Sequence, residues 1–137
     1  MKINIKRIND EYGMEAINEE GNRLLLDNAS NNGEPKTGMS PMQLILTAVG
    51  GCSAIDVLLI LKKQKQVIES FEVEIDGNKE KIEDYSLFKD ICLHFKMSGS
   101  IDADKAERAV KLSLEKYCSV SKILEPTANI SYKITID

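Results

Sequence analysis

Cys52, Cys92 and Cys118 carry most of the reactive chemistry this chain can offer. A thiol acts as a nucleophile in its thiolate form, which backbone N–H donors and nearby cations favour. Cys52 follows Gly50-Gly51 inside a long apolar stretch. A glycine within a helix costs about 1 kcal/mol relative to alanine, so the pair signals a close approach by another element or a bend. Backbone donors freed at such a point would favour a thiolate; the competing reading is a small core hydrophobe, a common use of buried Cys. Cys118 ends one expected helix and precedes another, where donors again gather, or it simply faces the core. Cys92 and His94 share one strand face at i, i+2 and would make a Cys-His nucleophile pair or a metal site. Lys96 stands beside them with no third ligand nearby, so an ordinary polar strand face is the simpler reading. Asp56, in the same apolar helix as Cys52, either orients a catalytic group or pairs with a buried donor. Arg23, on its own pattern, reads as a surface strand residue.

Other chemistries are excluded by pattern. The sequence has no Gly-rich phosphate loop, no Ser-His-Asp order and no H-E-x-x-H. It has one His and no C-x-x-C, so the closely paired ligands of a structural zinc site are missing and no metal is expected. With 18 basic and 22 acidic residues the net charge is −4, which leaves no basic excess to neutralise a phosphate backbone. Aromatics make up 5% and Trp is absent, so base stacking is not a basis for binding either. Cysteine is odd in number, and residues Met1 to Lys6 contain no apolar signal core. A cytoplasmic protein with reduced thiols is expected. Met42 to Leu61 has the length of a membrane span. It contains Asp56, which costs roughly 3 kcal/mol at mid-membrane, and Gly50-Gly51, so a core helix is expected instead.

The elements that hold these residues follow from periodicity. At 137 residues, 42% hydrophobic and 29% charged, the chain is expected to form one globular domain over 1–137. Ile3 and Ile5 alternate with Lys2, Asn4 and Lys6, continuing toward Ile8: a strand with one buried face. Met14 to Asn18 and Arg23 to Asp27 complete a meander, separated by Tyr12-Gly13 and Glu19-Glu20-Gly21-Asn22. Asn28 to Met39 is loop chemistry. Ser40-Pro41-Met42-Gln43 opens a helix with a capping residue, a first-turn proline and a capping-box partner. That helix runs to about Gln64, with Lys62, Lys63 and Lys65 complementing its dipole. It is apolar almost all round, so it should be buried on most sides. A monomer of this size is hard pressed to cover it fully, and an intertwined dimer is expected. Phe71, Val73 and Ile75 mark a strand, Gly77 to Ser86 a polar connection, and Phe88 to Met97 a strand with Ile91, Leu93, Phe95 and Met97 on one face. Asp102 caps a helix to about Tyr117, a short helix follows at Ser119 to Lys122, and Ile130 to Ile136 is the last strand. The order βββ-α-ββ-α-β is α+β.

Two segments together resemble the OsmC/Ohr family. They are Ser40-Pro41-Met42-Gln43-Leu44, leading to Cys52-Ser53-Ala54-Ile55-Asp56-Val57, and Glu115-Lys116-Tyr117-Cys118-Ser119-Val120-Ser121-Lys122. Gly50 to Val57 is most similar to the YhfA-like branch. The resemblance spans nearly the whole chain. It implies antiparallel sheets packed around a long buried central helix, in an intertwined homodimer with sites at the subunit interface. It also implies reduction of organic and fatty-acid hydroperoxides in the oxidative stress response. Cys52 would be the peroxidatic thiolate, oxidised to a sulfenic acid, and Cys118 the resolving thiol that condenses with it. A lipoyl or thioredoxin-like dithiol would restore both, with no cofactor. The peroxidase branches place a Glu directly after the helix-opening Pro, acting with an Arg from the N-terminal strands. Met42 stands at that position here, with Gln43 next, and Arg23 is the candidate Arg. The missing Glu leaves a second expectation open: a non-catalytic dimer that binds a small hydrophobic or lipid-like ligand.

Overall fold

A computed structural model of the chain describes residues 1–29, 33 and 35–137. It contains two compact units, 1–45 and 46–137. In the first, β1 (Ile3–Arg7), β2 (Met14–Asn18) and β3 (Arg23–Leu26) form an antiparallel sheet in chain order. Side chains make the turns: Asn9 Oδ1 accepts the N–H groups of Glu11 and Gly13, both at 3.0 Å, and Asn18 Oδ1 accepts that of Asn22 at 2.8 Å. The two-residue period of β1 is present, but among the described residues its apolar face is exposed: Ile3 is 60% and Ile5 55% exposed. The expected loop over 28–39 lies partly outside the described residues. Its ends are held by Asp27, whose N–H donates to the Met39 carbonyl at 2.9 Å.

The helix start is as the sequence predicts. Ser40 N–H donates to Gln43 Oε1 at 2.9 Å, and Gln43 N–H donates back to Ser40 Oγ at 3.3 Å, a complete capping box. Helix α1 runs over Pro41–Lys63 and ends in Lys62 and Lys63. Its burial differs from the expectation of cover on most sides. Val49, Gly50, Ser53, Val57 and Leu61 form one buried stripe, while Ile55 is 61% and Leu59 53% exposed. Among the described residues α1 alone is long and apolar enough to cross a membrane, with mean hydropathy 2.3 over its most apolar window. Its buried stripe nonetheless packs as that of a core helix does: a Cβ at Gly50 would lie 2.5 Å from Ile75 Cδ1.

The second unit is built on a long hairpin, β4 (Val67–Lys81) and β5 (Ser86–Ser100). The polar connection expected over 77–86 shrinks to 82–85, because Asn78 to Lys81 pair with β5 despite their loop-like composition. Gly77 is an approach point within the strand: a Cβ there would lie 2.8 Å from both Leu46 Cδ2 and Phe88 Cε1. After β5 come α2 (Ala103–Leu112), a π-helical turn (Ser113–Tyr117), α3 (Ser119–Leu124) and β6 (Asn129–Ile136). Asp102 caps α2, accepting the Lys105 N–H at 3.0 Å. Strand β6 pairs with β5 in parallel, so this sheet is mixed where antiparallel sheets were expected. The helical crossover between β5 and β6 returns the chain in the same direction, as parallel neighbours require. The predicted face of β5 is the core: Ile91, Leu93 and Phe95 are fully buried, and Val57, Leu61, Ala106 and Val110 bury with them. Each large apolar side chain removed from water there contributes about 1.5–3 kcal/mol. Two sheets and a central helix make the expected α+β fold.

Candidate dithiol site

Two elements of the second unit bring their reactive atoms together. Cys52 and Asp56 are one turn apart on α1, so they share a face. Cys118 stands between the π-helical turn and α3, in an extended conformation. The sulfurs of Cys52 and Cys118 and a carboxylate oxygen of Asp56 all lie within 4.8 Å of one another. No disulfide joins the two sulfurs.

Ser113 fixes this arrangement. Its carbonyl accepts the Cys118 N–H at 2.7 Å, closing the π-helical turn. Its hydroxyl lies 2.9 Å from Asp56 Oδ2, to which it donates, and 3.4 Å from the Ser53 carbonyl. One buried serine therefore ties the Cys118 backbone to the carboxylate on α1. A π-helical insertion is a rare local structure that often lies at functional sites. The next turn is held by Ser121, whose hydroxyl is within hydrogen-bonding distance of the carbonyls of Leu114 (3.0 Å) and Cys118 (2.9 Å).

The two thiols are not equivalent. Cys118 is fully buried, and Cys52 is half-buried. Burial pushes the Cys118 thiol up, against the Ser121 N–H, which donates to its sulfur at 3.4 Å; its hydrogen bond to Cys52 pushes it up further. Cys118 is thus the more sheltered thiol of the pair, and Cys52 the less buried one. An open cleft of about 430 Å³ starts at Asp56 and is walled by Leu59, Ile60, Leu112 and Tyr117, with Lys63 farther along α1.

The other candidates each have partners of their own. Arg23 is on β3 in the first unit, and its guanidinium donates to Glu15 Oε1 at 2.6 Å on the neighbouring strand. Cys92 and His94 are on the polar face of β5; His94 Nε2 shares a 2.7 Å hydrogen bond with Thr135 Oγ1, and Cys92 lies opposite Asp76 and Ser131. Among the described residues they form no cluster with the other two thiols. Ser113 and Glu15 were not singled out by the sequence. The i, i+4 spacing of Cys52 and Asp56 was the available signal for a shared face. Ser113 left none, because a π-helical turn has no sequence signature of its own here.

Similarity to known proteins agrees with this layout. The family described as OsmC-like protein matches residues 33–133. Protein YhfA of Escherichia coli is 42% identical over 117 residues, covering 85% of this chain and 84% of that protein. A hypothetical protein of Aquifex aeolicus superposes with a TM-score of 0.81 at 25% identity, over 99% of this chain and 96% of the other. The organic hydroperoxide resistance protein OhrB of Bacillus subtilis shares the fold, with a TM-score of 0.71 at 18% identity over 98% of this chain and 96% of the other. The resemblance carried by the Ser40-to-Val57 and Glu115-to-Lys122 segments is borne out along the length of the chain, which belongs to the OsmC-like protein family.

Proposed function

We propose that the chain reduces organic hydroperoxides, fatty-acid hydroperoxides among them, through Cys52 and Cys118. The carrying observation is that two sulfurs remote in sequence lie with a carboxylate within 4.8 Å of one another. In this reading the Cys52 thiolate attacks the terminal peroxide oxygen. The O–O bond breaks, Cys52 becomes a sulfenic acid, and the alkoxide takes a proton to leave as an alcohol. Cys118 then attacks the oxidised sulfur, and water leaves as the disulfide forms. An external dithiol, lipoyl or thioredoxin-like, accepts the disulfide by exchange and regenerates both thiols. The substrate's apolar tail lies along Leu59, Ile60 and Leu112. Asp56 is the carboxylate beside these thiols, and Met42 stands in the sequence where the family's Glu does. Arg23, paired with Glu15, is the candidate cation for the departing alkoxide. A second copy of the chain covers the exposed side of α1, and the cytoplasm supplies the dithiol.

Thiol loss on adding one equivalent of cumene hydroperoxide to the reduced protein tests this. Consumption should fall to background in Cys52→Ser; consumption unchanged in that variant would overturn the assignment. The cleft beside Asp56, together with Met42, favours one second reading, a binder of a small hydrophobic molecule. Native mass spectrometry then finds a ligand retained by protein whose thiols ignore peroxide.

A further inference from the structure

We propose that the reduced protein binds a thiophilic divalent cation of the zinc class through Cys52, Asp56 and Cys118. The spacing of cysteines along the chain gives no zinc pattern, but the fold assembles a ligand set that spacing does not show. Two sulfurs and one carboxylate oxygen are borderline-soft donors suited to zinc. A tetrahedral ion with Zn–S near 2.3 Å and Zn–O near 2.0 Å needs its donors about 3.5–3.8 Å apart. The three atoms here lie within 4.8 Å of one another, so each has at most about an ångström to move, within the reach of a side-chain torsion.

The surroundings fit the role. Cys52 and Asp56 come from successive turns of one helix, the i, i+4 arrangement by which a helix presents two ligands to one ion. The Ser113 hydroxyl on Asp56 Oδ2 orients the carboxylate, as an outer-shell donor does for a metal ligand. The Ser121 N–H aimed at the Cys118 sulfur supports a bound thiolate. Three protein ligands leave a fourth position open to water. Binding displaces both thiol protons: one Zn²⁺ replaces two H⁺, and the carboxylate joins as the anion. The inference does not depend on peroxide chemistry, since it needs only the reduced thiols.

The test uses the full chain, stripped with chelator and reduced under anaerobic conditions. Titration with Co²⁺ should give one ion per chain, thiolate-to-cobalt charge transfer in the near ultraviolet and the intense visible bands of a four-coordinate site. One equivalent of Zn²⁺ should bleach these bands, and zinc added to the metal-free, reduced protein should release up to about two protons. Cys92→Ser should change nothing, Cys52→Ser and Cys118→Ser should each remove the signal, and Asp56→Asn should weaken zinc by about tenfold or more. Should a cysteine variant fail to fold, alkylation of the wild-type protein still decides: zinc should slow alkylation of Cys52 and leave that of Cys92 unchanged. A six-coordinate cobalt spectrum without thiolate bands, a signal that survives Cys52→Ser, zinc affinity unchanged in Asp56→Asn, or zinc that shields Cys92 instead would each overturn the proposal. Peroxide consumption is measured separately on the chelator-treated protein, so failure of one reading leaves the other standing.

Discussion

Ser113 shows how little of the site is written in its reactive residues alone. Cys52 and Cys118 were legible as thiols in suggestive contexts, and Asp56 as a carboxylate of uncertain purpose. Their meeting depends on one serine whose carbonyl and hydroxyl serve opposite sides of the site. Asp27 has a similar fixing role in the first unit. Its carboxylate accepts the N–H groups of Thr37 (2.8 Å) and Asn28 (2.7 Å) and lies 3.1 Å from the Thr37 hydroxyl, which donates to it. The Thr37 and Asn28 backbone donors hold its pKa below the ordinary carboxylate value. The native state therefore prefers the ionised form. The stabilisation is fully present above the carboxyl's unfolded pKa and is lost as the pH falls through the lower folded value. Asp27→Asn should lower the urea midpoint at neutral pH, and the gap from wild type should close as the solution is acidified. A gap independent of pH would show that ionisation has no part in it.

Helix α1 was legible from its cap to its last lysines, because capping, proline placement and charge all act locally. The two strands of the hairpin were legible in their centres and not at their near ends. Gly77 to Lys81 carry loop residues, and only the ladder with β5 keeps them extended, a tertiary fact that local composition does not hold. The direction of β6 was hidden for the same reason, since period two marks a strand without choosing its neighbour's sense. The glycine pair in α1 resolves into two different roles. Gly50 is where β4 comes close, and Gly51 faces open space within the chain. Alanine at Gly50 would gain about 0.5–1 kcal/mol of backbone entropy. It would also push its Cβ to 2.5 Å from Ile75 Cδ1, an overpacking that costs about 1–3 kcal/mol. Gly50→Ala should therefore destabilise by about 1 kcal/mol in chemical denaturation, and the loss should be smaller when the same change is made in an Ile75→Val background, which lacks that Cδ1. Equal effects with and without Ile75→Val would mean the close approach is not the cause.

For the whole chain, the exposed side of α1 is the feature that one copy leaves unexplained. Only 28% of its most apolar stretch is buried. The over-hydrophobic helix was visible in sequence, whereas how much of it the chain would cover was not, because cover depends on how many elements reach it. On the proposed dimer, a charge at Ile55, which is 61% exposed, should split the pair and leave the fold intact. Sedimentation should report a dimer for wild type and a monomer for Ile55→Glu, with matching far-ultraviolet circular dichroism; a dimer in both, or a monomer in both, would remove this surface from the account. The redox reading itself stands or falls on which sulfurs join. Reduced protein treated with one equivalent of an organic hydroperoxide, digested without reductant and mapped by mass spectrometry, should contain a Cys52–Cys118 disulfide with Cys92 still a thiol. A disulfide that includes Cys92, or oxidised Cys52 that never pairs with Cys118, would contradict it.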